Sequence, residues 1–279
     1  MSARLRSATV GDVARQRARG GRQPRQRVTI KAALCATCLV DQFYPEVGEA
    51  AVKVLRHLGV DVSFPEEQTC CGQIGFNGGY RREALEIARH FLDVFEEYEH
   101  VVVPSGSCAS MVKVYYPELL AGDPEALNRA KALGERTHEL TDFIVNVLGV
   151  TDVGAASSGL VTYHDACHLL RELHISSEPR ALIQEVDGVE LQEMAGCDVC
   201  CGFGGLFSVK FPEISSAILN DKLQNIGASG ASIVVANDCG CLMHMRGAMQ
   251  RRGMNVRPMH IAELLAEGLD DASPPRGRR

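Results

Sequence analysis

Apolar positions along this chain alternate between two periods. Within 44–58 they fall at Val47, Ala50, Ala51, Val54, Leu55 and Leu58, the spacing of one buried helical face. Within 80–98 the same spacing returns as Ala84, Leu85, Ile87, Ala88, Phe91, Leu92 and Phe95, with charges between them. Short apolar runs separate these helices: VTIKAAL at 28–34, VDVSF at 60–64 and HVVVP at 100–104. Each reads as a strand, the last buried on both faces and ended by its proline. A helix follows at 140–148, started by Thr141 or Asp142 as cap. The plan then repeats, with strands at 160–164, 189–194 and 232–236 and helices at 179–185, 212–226 and 260–267. Strands alternating with helices predict an α/β fold of parallel sheets covered by helices. The small, polar stretch 149–159 marks the boundary between two halves.

The cysteines follow the same repeat. Cys-Cys-Gly occurs twice, at Cys70-Cys71-Gly72 and Cys200-Cys201-Gly202, each leading into a glycine-rich turn. Upstream, after a strand, stands one cysteine in each half, Cys38 and Cys167; downstream, again after a strand, stand Cys108 and Cys241. The offsets between matched cysteines are 129, 130 and 133 residues, so a duplication is the simplest reading. It divides the chain into a leader at 1–27, a first domain at 28–150, a second at 160–267 and a tail at 268–279.

Charge changes meaning once it is placed. The chain of 279 residues carries −6, but the leader alone holds eight arginines and one acid, Asp12. Without it the body is strongly acidic, which excludes a general nucleic-acid binder. Leader and tail read as disordered extensions. There is no apolar run long enough to span a membrane and no secretory signal, and eleven cysteines without one point to the reducing cytoplasm.

Cysteines at the carboxyl ends of parallel strands converge in space although they are far apart in sequence. Four thiolates hold a zinc ion or an iron–sulfur cluster. Adjacent cysteines diverge on an extended backbone, so a tight glycine turn is needed to bring both to one site, and two neighbouring thiolates reach different irons of a cluster more readily than one zinc. The alternatives open on these residues are an iron–sulfur protein, a structural zinc protein acting as a scaffold, and a thiol–disulfide reductase. Gly72 and Gly202 are the candidate N–H donors that offset cluster charge. Cys35 and Cys197 have no cysteine counterpart in the other half, the place of Cys35 being taken by His164, and read as buried or spare thiols. His168, next to Cys167, is the candidate for proton transfer or carboxylate binding; His164 is a weaker one. His244 and His260 read as structural and Arg171 as solvated. No G-x-G-x-x-G follows a strand, so no dinucleotide site is indicated.

The ordered set TCLVD (37–41), CCGQIGFNGGY (70–80), VVVPSGSC (101–108), ELTDFIVNVLGV (139–150), CCGFGGLFSVK (200–210) and DCGCLM (238–243) resembles the cysteine-rich CCG-domain family, whose members include the cysteine-rich subunit of heterodisulfide reductase and the iron–sulfur subunit of glycolate oxidase. The resemblance implies two pseudo-symmetric tandem CCG repeats, each a small parallel sheet flanked by helices. It implies one iron–sulfur cluster per half, of the [4Fe-4S] type, cubane or non-cubane. It also implies a subunit of a three-part complex that oxidises L-lactate to pyruvate, alongside a ferredoxin-motif iron–sulfur subunit and a third subunit of that lactate-utilisation complex. In the heterodisulfide reductase relatives five cysteines hold each cluster, the last two as CxxC. Here those pairs are Ser105…Cys108 and Asp238…Cys241, so the fifth thiolate is missing. Cys239, or an oxygen of Ser105 or Asp238, stands as its substitute, and a four-thiolate cluster is equally allowed.

Overall fold

The computed structural model describes residues 30–269; the leader at 1–27 and the tail beyond 269 lie outside them. The first half forms a sheet of four parallel strands, β1 (Lys31–Leu34), β2 (Asp61–Ser63), β3 (Val101–Val103) and β4 (Thr137–Glu139), in the order β2-β1-β3-β4. The second half repeats it with β5 (Ala156–Tyr163), β6 (Asp187–Leu191), β7 (Ile233–Ala236) and β8 (Arg257–His260) in the order β6-β5-β7-β8, again all parallel. The chain is thus two tandem repeats, each a small parallel sheet flanked by helices.

The helices read from periodicity are present at Pro45–His57, Arg81–Phe95 and Pro212–Ala228. Their apolar stripes build the core: Val47, Ala51, Val54 and Leu55 on the first and Ala84, Ala88, Phe91, Leu92 and Phe95 on the second are all fully buried. One apolar cluster spans both halves, because the last helix, Ile261–Ala266, lays Ile261, Leu264 and Leu265 against Pro45–His57. At roughly 1.5–3 kcal/mol for each large aliphatic side chain buried, this shared layer holds the halves together.

Some local expectations shift. β5 begins at Ala156, inside the stretch expected to be boundary, because Ala156 N–H donates to Glu267 O at 3.0 Å and ties the strand to the end of the chain. The helix from Leu140 is capped by Glu139 rather than by Thr141 or Asp142: its buried carboxylate accepts Thr141 N–H at 2.7 Å and Asp142 N–H at 3.4 Å. That helix then widens into a π-turn over Phe143–Val147.

The halves also meet directly where helix Gly106–Ser110 crosses helix Cys167–Arg171. A β-carbon at Gly106 would stand 2.5 Å from Leu169 Cβ and 3.1 Å from its Cα. Backbone cannot yield as a flexible side-chain tip can. Gly106→Ala is therefore expected to cost about 1–3 kcal/mol in urea unfolding through overpacking; an unchanged midpoint would mean that the crossing has slack.

Candidate metal centre

In a sheet ordered β2-β1-β3-β4 the chain leaves β1 to one side and later returns to β3 on the other, which opens a crevice at the carboxyl ends of β1 and β3. The loops leaving those ends deliver the cysteines. Cys38 opens helix Cys38–Phe43, whose cap is Thr37; Cys70 and Cys71 follow β2; Cys108 lies in helix Gly106–Ser110 after β3. In the second half Cys167 opens helix Cys167–Arg171, Cys200 and Cys201 follow β6, and Cys241 lies in helix Cys239–Arg252 after β7. All eight line a single cleft between the halves, about 840 Å³ and partly open to solvent.

Within the first set, Cys70 Sγ lies 3.6 Å from Cys38 Sγ, and Cys71 Sγ lies 3.2 Å from Cys108 Sγ. Both separations exceed the ~2.05 Å of a disulfide, and the cysteines are free. Gly72 sits at φ +83° and its N–H donates to Cys70 Sγ at 3.4 Å. Gly202 repeats this at φ +88°, donating to Cys200 Sγ at 3.3 Å. A β-carbon at Gly202 would stand 2.6 Å from Ser215 O, so the third residue of the motif has two reasons to be glycine.

These contacts set the protons. Cys70 is held well below an ordinary thiol because Cys38 and Cys71 donate to it, with the Gly72 N–H adding to them. Cys200 is held low by Cys167 and Cys201 in the same way. Their donors are pushed up correspondingly: Cys38 and Cys167 chiefly by those hydrogen bonds, and Cys71 and Cys201 by hydrogen bonds to two neighbours each plus burial. Cys241 is lowered to about 7 chiefly by the hydrogen bond from the Cys201 thiol. Each set therefore offers a ready thiolate beside thiols whose protons a soft cation displaces on binding. His164, Cys201 and Cys241 bring one ligand atom each to within 4.8 Å of one another, a buried group able to hold a metal ion.

The remaining candidates separate. Ser105 and Asp238 occupy matching places in the two halves and meet each other: Asp238 Oδ1 accepts from Ser105 Oγ at 2.7 Å, Ser107 Oγ at 2.6 Å and Ser107 N–H at 3.2 Å. These bonds join the first half directly to the second. Cys239 is buried at the cleft floor within the apolar core that holds Val40 and Tyr44, with Asp238 and Glu263 as its nearest charges. Cys35 is buried in the core of the first half, and Cys197 Sγ lies 3.6 Å from Arg180. His168 lines the cleft, with Nδ1 3.6 Å from Cys167 Sγ. His244 shares a hydrogen bond with Ser215, and Arg171 reaches Asp198 O at 3.5 Å from an exposed position.

Two supporting residues were invisible to sequence reasoning. Arg180 grips the buried Asp165 carboxylate with both terminal nitrogens, at 2.8 and 2.7 Å, which fixes the turn before Cys167. Lys222, 1% exposed, donates to Gly196 O at 2.5 Å and Cys197 O at 3.3 Å and holds the loop before Cys200. Only a lysine on the otherwise apolar side of the helix Pro212–Ala228 hinted at it.

His260 is structural, as expected. It caps helix Ile261–Ala266 with Nδ1 accepting from Ala262 N–H at 3.1 Å, while Nε2 donates to Asn237 O at 3.0 Å. Nδ1 can accept only in the neutral ring, and burial pushes its pKa from 6.5 down to about 4. Between those values the unfolded chain binds the extra proton, so stability falls as pH drops through this window, by up to about 3 kcal/mol from this group. Urea unfolding at pH 7 and pH 4.5 is expected to show that loss, and His260→Gln to reduce it; equal slopes in both proteins would refute the assignment.

Fold and site together define a tandem cysteine-rich domain protein, and the cysteine-rich domain (CCG) family indeed matches residues 32–113 and 161–246. Lactate utilization protein A 2 of Bacillus cereus (strain 03BB102) is 43% identical over 241 residues, covering 86% of this chain and 100% of that protein. Lactate utilization protein A of Geobacillus sp. (strain WCH70) is 46% identical over 236 residues, covering 85% and 99%. The chain belongs to the CCG family and, within it, to the family of these lactate utilization A proteins. Among the described residues no helix is long and apolar enough to cross a membrane.

Proposed function

We propose that this chain is the iron–sulfur subunit of a cytoplasmic complex that oxidises L-lactate to pyruvate. The observation that carries the reading is the convergence of eight cysteines, four from each half, on one cleft at the carboxyl ends of two parallel sheets. The names of the Bacillus and Geobacillus relatives supply the substrate class. The donor set fits: four soft sulfurs per half, none in a disulfide, with a glycine N–H directed at one of them. In this reading Cys38, Cys70, Cys71 and Cys108 hold one [4Fe-4S] cluster, and Cys167, Cys200, Cys201 and Cys241 hold the other. Four thiolates satisfy a cubane; a non-cubane form needs a fifth donor.

Such clusters supply one-electron transfer when bound. The chain's residues do the rest. Gly72 and Gly202 orient the paired cysteines and place N–H dipoles against negative sulfur. Leu39, Ile74 and Phe203 give the cleft apolar walls that limit water. His168, the imidazole at the cleft surface beside Cys167, handles protons there. Oxidation of lactate to pyruvate releases two electrons and two protons, and two one-electron centres in one chain match the electron count. A ferredoxin-motif iron–sulfur subunit and a third subunit complete the complex.

The group of His164, Cys201 and Cys241 is also one that zinc accepts, so a structural zinc protein is the second reading. Anaerobic iron and sulfide analysis with electron spin resonance decides between them. About eight irons and as much sulfide per chain are expected for two [4Fe-4S] clusters; a colourless protein with zinc and no sulfide overturns the first reading.

A further inference from the structure

The halves share a topology but not every donor. The residue leaving β1 is Cys35 and the residue leaving β5 is His164, and both hydrogen-bond back to the central neighbouring strand in the same way: Cys35 N–H to Val102 O at 2.9 Å, and His164 N–H to Val235 O at 2.8 Å. Their side chains then differ. Cys35 is buried in a cluster with Ala33, Ala109 and the site cysteines Cys71 and Cys108, so it adds only another sulfur there. His164, fully buried, directs its Nδ1 to Cys197 O at 3.3 Å. A carbonyl only accepts, so Nδ1 carries the proton and Nε2 is left as a bare lone pair. That nitrogen is buried and has no hydrogen-bond partner, and the His164 ring brings a ligand atom within 4.8 Å of the sulfurs of both Cys201 and Cys241.

We infer that His164 Nε2 is a ligand of the metal centre in the second half, so that the two sites are chemically unequal: sulfur alone in the first, sulfur and imidazole nitrogen in the second. An imidazole whose far N–H is tied to a backbone carbonyl is the arrangement by which proteins fix the tautomer and direction of a metal-binding histidine. It also accounts for the orphaned nitrogen, since a buried acceptor beside two sulfurs is satisfied by a cation shared with them. His168 is no equal candidate, because it stands at the cleft surface with its Nδ1 on Cys167. Where the resemblance left the fifth donor to Cys239 or Asp238, the geometry points to His164. The inference rests on the proposed metal content of the site, and the inequality has a consequence. A neutral nitrogen and an anionic thiolate stabilise the oxidised and reduced states of a centre differently, so the two sites have different reduction potentials and an electron has a preferred resting place within the chain.

The test uses the full chain labelled with ¹⁵N-histidine, purified anaerobically, reduced with dithionite and examined by pulsed electron spin resonance. A coupling of directly bound nitrogen is expected in the wild type and in His168→Asn. It should be lost in His164→Cys, which keeps its full iron content while the potential of one site falls, because an anion has replaced a neutral donor. A full iron content without the coupling, or a coupling that survives His164→Cys, overturns the inference and leaves the iron–sulfur reading intact. If His164→Cys does not fold, the labelled wild type and His168→Asn still decide, since a coupling lost in the latter assigns the nitrogen elsewhere. If the chain carries zinc instead of iron, the iron–sulfur reading fails by itself, and X-ray absorption reads the ligand: zinc–nitrogen at about 2.0 Å supports His164 and an all-sulfur shell overturns it.

Discussion

Cys71→Ser and Cys201→Ser are each expected to strip the chain of half its iron and half its sulfide while leaving the other site filled. The thiols are buried in equivalent places, Cys71 against Cys108 Sγ at 3.2 Å and Cys201 against Cys241. Serine preserves their size and can keep a hydrogen bond with the same neighbour, so the fold tolerates the exchange. A hydroxyl, however, is harder than a thiol and ionises far less readily, and it does not replace thiolate on iron. Iron should therefore fall from about eight to about four per chain in either variant and approach zero in the double one. Cys197→Ser is the control: its sulfur contacts Arg180 rather than another sulfur, so full iron is expected. An undiminished iron content in Cys71→Ser would remove the ligand assignment in the first half.

Much of this was legible in the sequence because two independent periodicities agreed. The helical stripe on Pro45–His57 and the all-apolar Val101–Val103 are each buried in a manner their spacing foretells, and the repeat of Cys-Cys-Gly gives the symmetry. Two of the four outer strands, β4 and β8, were not legible. Thr137–Glu139 and Arg257–His260 are short and mixed in character, and what buries Thr137, Glu139 and His260 is hydrogen bonding, not an apolar pattern. The helix Cys239–Arg252 was missed because its apolar residues are scattered round it, as befits a helix with neighbours on several sides. Contacts across the two-fold axis were likewise hidden. Nothing in a linear repeat says that Ser105 and Asp238 touch, since that depends on how the halves face one another, or that the His164 ring faces Cys201 and Cys241, since that depends on how the loops of the second half fold back over β5 and β7. The same symmetry that made the repeat visible makes such departures informative: where the halves differ, as at Cys35 and His164, the difference sits within the site.

Asp238 is where that symmetry has its largest energetic effect. Its Oδ1 receives two serine hydroxyls and one backbone N–H from the first half, at a position 5% exposed. Asp238→Ala removes the acceptor and leaves those donors facing a void between the halves, so a cost of about 3–5 kcal/mol is expected, as for other buried polar groups robbed of a charged partner. Asp238→Asn keeps one carbonyl oxygen for them and should cost less than half as much. The alanine variant also separates two roles for this carboxylate. Its Oδ2 is buried without a partner and the residue lines the cleft, so it is near enough to the site for its ligand role to need testing. If Asp238 joins the halves and His164 supplies the extra donor, iron per folded chain stays constant in Asp238→Ala while the denaturation midpoint drops sharply. Iron lost from a variant whose midpoint barely moves would instead place the carboxylate on the metal and take the fifth position away from His164.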